Sequence, residues 1–310
     1  MSYEIVLDST CDLNKDIRKE YGIYEDFLHA CLEMPGNKEE KADLEWGNYS
    51  VEEYFKIVKS KPGQVKTAFA TLDEFERVVA PILKAGKDVM IFVISSGISG
   101  TANGYRKHAE VVLEDFPGRK IEIIDTLKYS AASGLLAIEA AKNKAKGMSF
   151  EDNIKWCNLA RYNLHEIGPM DDLRFLAKNG RIAAGKAFFG QLAGVQPVAD
   201  FTRDGMSKPL GTVKGADAAN KIALNYLLKV AKDLENQTIV IAHSCRKERA
   251  ELFKKQLLEV AKPKEVVITS VGQSCGANIG PGLCAYFFFG EPLSEDGAKE
   301  AKLFSELKGN

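Results

Sequence analysis

Several residue types are scarce in this chain of 310 residues, and each scarcity removes a class of function. There are four histidines, His29, His108, His165 and His243, and none is spaced for a metal site. The six cysteines, Cys11, Cys31, Cys157, Cys245, Cys275 and Cys284, include no C-x-x-C pair and none at zinc-finger spacing from a histidine. Scattered thiols of this kind read as reduced, in a cytoplasmic protein. Charge of one sign is also missing: the net charge is −1, with no basic excess to favour nucleic acid or an anionic membrane surface. The opening MSYEIVLDST has no basic segment ahead of an apolar run, so no secretory signal is expected. One long window, Val266 to Gly290, is uncharged, but it is broken by glycine, proline, glutamine, asparagine and serine. It reads as strand, glycine loop and strand rather than as a membrane helix.

What remains is an α/β protein. Apolar residues make up 45% of the chain, ample for a packed core, and the length suggests two domains. YEIVLDS precedes NKDIRKEYG, DVMIFVIS precedes a helical stretch from Thr101 to Phe116, and KIEIIDT precedes SAASGLLAIEAAKNKAKG. This alternation predicts a largely parallel sheet with helices on both faces. Gly147 ends the last of these helices, and MSFEDNIKWCNLARYNLH begins another, so the boundary is expected there: domains 1–147 and 148–310. In the second half PLGTVKG, QTIVIAHS, EVVITSV and LCAYFFFG read as β segments, with KERAELFKKQLLEVAK as a helix, giving a mixed α+β domain. The polar stretch from Met34 to Tyr49 reads as a surface loop.

Hydroxyls gather where strands end. LDST (Leu7 to Thr10), SSGISGT (Ser95 to Thr101) and IIDT (Ile123 to Thr126) all place them at the C-terminal edge of the sheet, where open α/β folds bind ligands. SSGISGT also opens a helix, whose free N–H groups and positive dipole end suit a carboxylate or phosphate. Simple capping by Ser99 or Thr101 is the alternative. Two catalytic templates fail. Gly97-Ile98-Ser99-Gly100-Thr101 lacks the final glycine of a nucleophile elbow. Gly180 to Ala187 has Ala187 where a P-loop needs a magnesium-binding hydroxyl, after a segment that reads as helix. His108 reads as a surface residue within a helix, and His243, at a strand end, as a buried hydrogen-bonded ring rather than a base. VKTAFAT (Val65 to Thr71) and AAGKAFFGQLAGVQPV (Ala183 to Val198) read either as core or as the lining of a long apolar pocket.

Taken in order, these motifs resemble the DegV family, bacterial fatty-acid-binding proteins that present acyl chains to a separate fatty acid kinase. IVLDSTCDL resembles the family's opening strand, and SSGISGT matches its signature turn except at Ile98, usually leucine. VKTAFAT, IIDT, LAKNGRI (Leu176 to Ile182), GVQPV, RDG and NIGPG (Asn278 to Gly282) fall where further family motifs belong. The resemblance implies an N-terminal parallel-sheet α/β domain and a C-terminal mixed α+β domain, with the acyl chain held between them. It implies a non-catalytic, cytoplasmic lipid-binding protein. A long-chain fatty acid would be its ligand, without cofactor or metal. A dihydroxyacetone-kinase-like fatty acid kinase would be its partner, with no nucleic acid and no stable membrane insertion.

By position, the family's carboxylate ligands fall on Thr67 and Ser99, and a third, histidine in the family, falls on Asn278. Ser9, Ser96, Gly97, Gly100, Thr101 and Phe69 would support the pocket. Arg181, on a turn expected to be exposed, would serve the kinase interaction and leave lipid affinity nearly unchanged. The chain departs from the family pattern at Ala68, Phe69 and Ala70, at Asn179, at Lys214 and Gly215, and at Asn278. The competing readings are a hydrolase or phosphotransferase using Ser99, and a lipid-sensing regulatory protein without kinase coupling.

Overall fold

A computed structural model describes residues 2–182 and 194–309. The apolar stretch at 183–193, with the P-loop-like Gly185, Lys186 and Ala187, lies outside the described residues.

In the N-terminal half the elements are β1 (Tyr3–Asp8), α1 (Lys15–Glu20), β2 (Phe27–Leu28), β3 (Cys31–Met34), β4 (Lys38–Lys41), α2 (Val51–Ser60), β5 (Lys66–Ala68), α3 (Leu72–Lys84), β6 (Asp88–Val93), α4 (Thr101–Leu113), β7 (Ile121–Asp125), α5 (Ala131–Ala145) and α6 (Phe150–Ala160). Strands β2-β1-β6-β7 form a parallel sheet in that order. Strand β6 is buried along its whole length, as a continuous apolar run between two helical layers should be. Helices start where the sequence offers caps. Asn14, Ser50, Thr71 and Ser149 each accept a backbone N–H in the first turn, and Ser50 with Glu53 completes a capping box. Helices α4 and α5 have no such side-chain cap.

The stretch from Met34 to Tyr49 is not simply a loop. Strands β3 and β4 form an antiparallel hairpin, and β5 joins it in a small sheet ordered β4-β3-β5. The KEEK of β4 carries no apolar alternation because it is a solvent-facing edge, where charge discourages further pairing.

In the C-terminal half come β8 (Leu164–Pro169), α7 (Arg174–Lys178), β9 (Val195–Phe201), β10 (Ser207–Lys214), α8 (Ala216–Val230), β11 (Thr238–His243), α9 (Lys247–Val260), β12 (Glu265–Ser270), α10 (Gln273–Ile279), β13 (Cys284–Phe289) and α11 (Ala298–Gly309). They build a mixed sheet ordered β10-β9-β8-β13-β11-β12, antiparallel except for the parallel pair β11/β12. Two expectations need correction here. The segment beginning at Met148 is not one helix to His165: it turns through a short 3-10 stretch into β8, which is central to the sheet. The glycine-rich window after β12 is not all loop. Residues Gln273–Ile279 are helical and all buried, with Gly276 lying against Phe55.

The layers follow from which faces are apolar. Helices α3 and α4 cover one face of the parallel sheet around Val6, Phe75, Ile91 and Tyr105. Helix α5 lies between the sheets and touches strands of both. Helices α8, α9 and α11 cover the far face of the mixed sheet. The inner core runs without a break from Ile5 and Phe92 to Ala242, Ala285 and Phe287, so the two α/β domains share one apolar interior.

Candidate functional site

The C-terminal edge of the parallel sheet faces α10 and β5 across a small cavity of about 50 Å³. Thr67, Phe69, Ser99, Thr101, Arg181 and Asn278 all line it. They come from the edge strand β5, the β6–α4 turn, the end of α7 and α10, segments distant in sequence that only this fold brings together.

The hydroxyl-rich strand ends turn out to do different things. Ser9 supports the cavity from behind: its Oγ bonds Ser274 Oγ at 2.8 Å and accepts the Ala30 N–H at 3.1 Å. Thr126 donates to the Val93 carbonyl and does not reach the cavity. In SSGISGT the labour divides within seven residues. Ser95 donates to the Gly205 carbonyl at 2.7 Å, and Gly97 sits so close to Asp204 and Gly205 that a Cβ there would collide with their backbone. That pair docks the hairpin turn of the mixed sheet onto the parallel sheet. The Ser96 N–H is taken by Asp125, and Ser96, Gly97 and Gly100 face solvent rather than the cavity. Ser99 does face it. Its Oγ bonds Thr101 Oγ1 at 2.8 Å and accepts the Thr101 N–H at 3.3 Å. When Thr101 donates in that pair, the Ser99 hydroxyl proton is left for a ligand.

Thr67 is half-buried on β5 and makes no side-chain hydrogen bond among the described residues. Thr71, in the same motif, is spent on capping α3. Phe69, 36% exposed, lies over Gly104 of α4, where no side chain would fit beneath its ring. It packs on Tyr105 and His108, so His108 is part of an aromatic cluster rather than a free surface residue. Asn278 is nearly buried, and its Nδ2 makes only a long 3.5 Å contact to the Ser274 carbonyl. Arg181, expected on an exposed turn, is half-buried and lines the cavity, held by a bond from its guanidinium to the Asn179 carbonyl.

Two further lining residues were not singled out in the sequence. The Thr10 hydroxyl is buried beside the Asp8 carboxyl and has no hydrogen-bond partner of good geometry. Asp8 itself is wholly buried, accepts Tyr105 Oη and the Thr10 N–H, and burial raises its pKa above the usual carboxylate value. LDST carried the signal for both, since Thr10 follows the strand end directly.

Tyr129 forms the far wall. Its Oη donates to the Cys275 carbonyl at 3.3 Å, and its ring also bounds a second cavity of about 40 Å³. That cavity is lined mostly by apolar residues, among them Met170, Leu176, Phe201, Ile279 and Phe287.

None of the four histidines lines the polar cavity. His29 Nδ1 contacts the Ala42 carbonyl, and His165 pairs with buried Asp200. His243 is the buried ring expected: its Nδ1 accepts the Arg246 N–H at 3.3 Å, and burial lowers its pKa. All six cysteines are free. Among the described residues no cluster of His, Cys, Asp and Glu is placed to hold a metal ion, and no helix is long and apolar enough to cross a membrane.

The fold has counterparts. The chain is 26% identical over 292 residues to a DegV domain-containing protein of Streptococcus pyogenes serotype M3, covering 94% of this chain and 99% of the relative. It is 30% identical over 224 residues to one from Clostridium perfringens, covering 72% and 76%. Among solved structures, a DegV family protein from Thermus thermophilus, described for its fatty acid binding, superposes with a TM-score of 0.81 at 23% identity, covering 94% of this chain and all, 100%, of that one. A stearic-acid-binding protein from Eubacterium ventriosum does so with a TM-score of 0.81 at 21% identity, covering 93% and 98%. Residues 2–291 match the family described as "Uncharacterised protein, DegV family", and the chain belongs to that family.

Proposed function

We propose that this protein binds a long-chain fatty acid, with its carboxylate in the polar cavity and its tail passing Tyr129 into the apolar one. The observation that carries this reading is the pair of cavities sharing Tyr129, one lined by Thr67, Ser99, Asn278 and Arg181, the other by aliphatic and aromatic side chains. Ser99, Thr67 and the Asn278 amide supply neutral donors. Arg181 supplies the cation, and the N-terminus of α4, whose N-cap is Gly100, adds its dipole. The two cavities are far below the several hundred Å³ typical of such ligand sites, so binding is coupled to their expansion.

The tail supplies most of the affinity, at about 0.8 kcal/mol gross per buried methylene. The head-group bonds fix orientation. Carboxylate orientation toward the mouth at Phe69 suits presentation to a partner, and a fatty acid kinase in the cytoplasm is the partner we propose. The site is read as non-catalytic because Ser99 has no base among the described residues: no histidine lines the cavity, and the Asp8 carboxylate is occupied by Tyr105 and Thr10. Native mass spectrometry of freshly purified protein, followed by organic extraction, tests the reading. An acyl chain in the extract supports it. No acyl chain, together with no rise in melting temperature on adding fatty acid, overturns it.

A further inference from the structure

We propose that Glu166 is a second polar station within the tail cavity, placed to bind a hydroxyl carried on the acyl chain, so that hydroxylated long-chain fatty acids are preferred over plain ones. This rests on the fatty-acid reading above.

Directly paired residues on neighbouring strands point to the same face. One inward row reads Ala242, Ala285, Gly168, Ala199 and Pro209 across β11, β13, β8, β9 and β10. These small residues leave room above the sheet. The next inward row, two residues along each strand, reads Val240, Phe287, Glu166, Phe201 and Ser207. An apolar residue is what this position calls for, and a carboxyl stands there instead. Glu166 and Ser207 both line the tail cavity.

Asp200 and Ser130, which also line that cavity, are already committed. Asp200 accepts the Glu166 and Phe201 N–H groups, the Tyr226 hydroxyl and a bond from His165. Ser130 donates to Asp12. Glu166 differs: among the described residues only its Oε1 is engaged, by the Tyr129 N–H at 2.8 Å, and Oε2 has no partner. The Ser207 hydroxyl, in a residue only 3% exposed, likewise makes no side-chain hydrogen bond among the described residues. Two unpartnered polar groups thus border a space lined otherwise by hydrocarbon and by polar groups already bonded elsewhere.

A structural role for Glu166 is to hold Tyr129 and to balance Lys128, a buried ammonium that stacks 5.7 Å from the centre of the Phe201 ring. That role uses one oxygen and leaves the second unexplained. A plain methylene chain would leave this oxygen unsatisfied, whereas a chain hydroxyl would pair with it. The free Glu166 oxygen accepts the hydrogen bond that a chain hydroxyl donates.

The test is calorimetric binding of stearate and a positional series of hydroxystearates to the wild type and to Glu166→Gln and Glu166→Leu, with melting temperatures recorded. At least one hydroxystearate is expected to bind the wild type about tenfold more tightly than stearate. Glu166→Gln, which keeps an acceptor and a donor, should retain that preference. Glu166→Leu should lose it while binding stearate at least as well. If the wild type binds stearate as tightly as every hydroxylated isomer, or if Glu166→Leu keeps the preference, Glu166 does not read the chain and the inference falls alone. If neither class of ligand binds, the fatty-acid reading falls, and this inference with it. If Glu166→Leu does not fold, Glu166→Ala takes its place with the same expected loss, and absence of any preference in the wild type still overturns the inference.

Discussion

The two cavities on either side of Tyr129 are built in opposite ways. The polar one is assembled from turns and element ends, each contributing one or two side chains whose backbone is fixed elsewhere. The apolar one lies on the face of a sheet, shaped by a row of small residues beside a row of larger ones. A site made of turns can exchange one hydrogen-bonding residue for another at little cost to the fold. A site made of a sheet face is tied to the packing of the whole core. Head-group recognition and chain selection are therefore separable, and substitutions on the two sides should fail differently.

The largest effect is expected on the sheet side. Ala199→Phe puts a ring over the row of small residues. Excluding about four methylenes at about 0.8 kcal/mol each lowers affinity for a long-chain acid by roughly a hundredfold, while a short acid is nearly unaffected. Titration calorimetry across chain lengths reads this directly. Equal loss for short and long chains would mean the tail does not lie there.

On the turn side, Arg181→Ala should cost about tenfold to a hundredfold in affinity, since a charge-assisted bond is worth about 1.5–3 kcal/mol. The loss should be similar for every chain length. Unchanged affinity, with slower phosphoryl transfer by a partner kinase, would return Arg181 to the interaction role that the family resemblance implies.

The same contrast governs what could be read from the sequence. The parallel sheet was legible because its strands are uninterrupted apolar runs followed by helices with recognisable starts: DVMIFV is β6, and IEIID is β7. The turn residues were legible too, because hydroxyls and glycines at strand ends stand out from their neighbours. The mixed sheet was harder. LHEIGP, now β8, hides behind a helical stretch, and its inward positions hold Leu164, Glu166 and Gly168, which give no apolar alternation. The small-residue row could not be seen at all, because it exists only across strands. Register is a tertiary fact, so Ala199 and Ala285 look unremarkable until β8 places Gly168 between them. The partial burial of Arg181 was hidden for a related reason: a glycine turn suggests exposure, whereas the residue is half-buried and lines the cavity.

Smaller losses are expected at Ser99→Ala and Thr67→Ala, about tenfold each in affinity. The two should differ in stability. Thr67 makes no side-chain hydrogen bond among the described residues, so its loss should leave the melting temperature unchanged. Ser99 accepts the Thr101 N–H, so its loss should cost up to about 1 kcal/mol, as for a weakened cap. A fold that collapses with either change would make the polar cavity a packing feature rather than a binding site.

The smallest effect, and the most specific, concerns Asn278. Its amide donates without carrying charge, and Arg181 stays cationic across the neutral range. Binding by the unaltered protein should therefore change little between about pH 6 and 8. Burial raises the Asp8 pKa, and an ionised Asp8 would repel the ligand, so its contribution would be weaker binding as pH rises. Asn278→His adds a group with a reference pKa of about 6.5, which the ligand carboxylate raises in the complex. Protons are then taken up on binding, and affinity should increase as pH falls through the complexed pKa, levelling off below the free one. About one pH unit of induced shift would give up to tenfold tighter binding at the acid end. Affinities at several pH values for both proteins measure this. A flat profile in Asn278→His would show that residue 278 does not touch the carboxylate, and the head group would then have to be sought nearer Thr10 and Asp8.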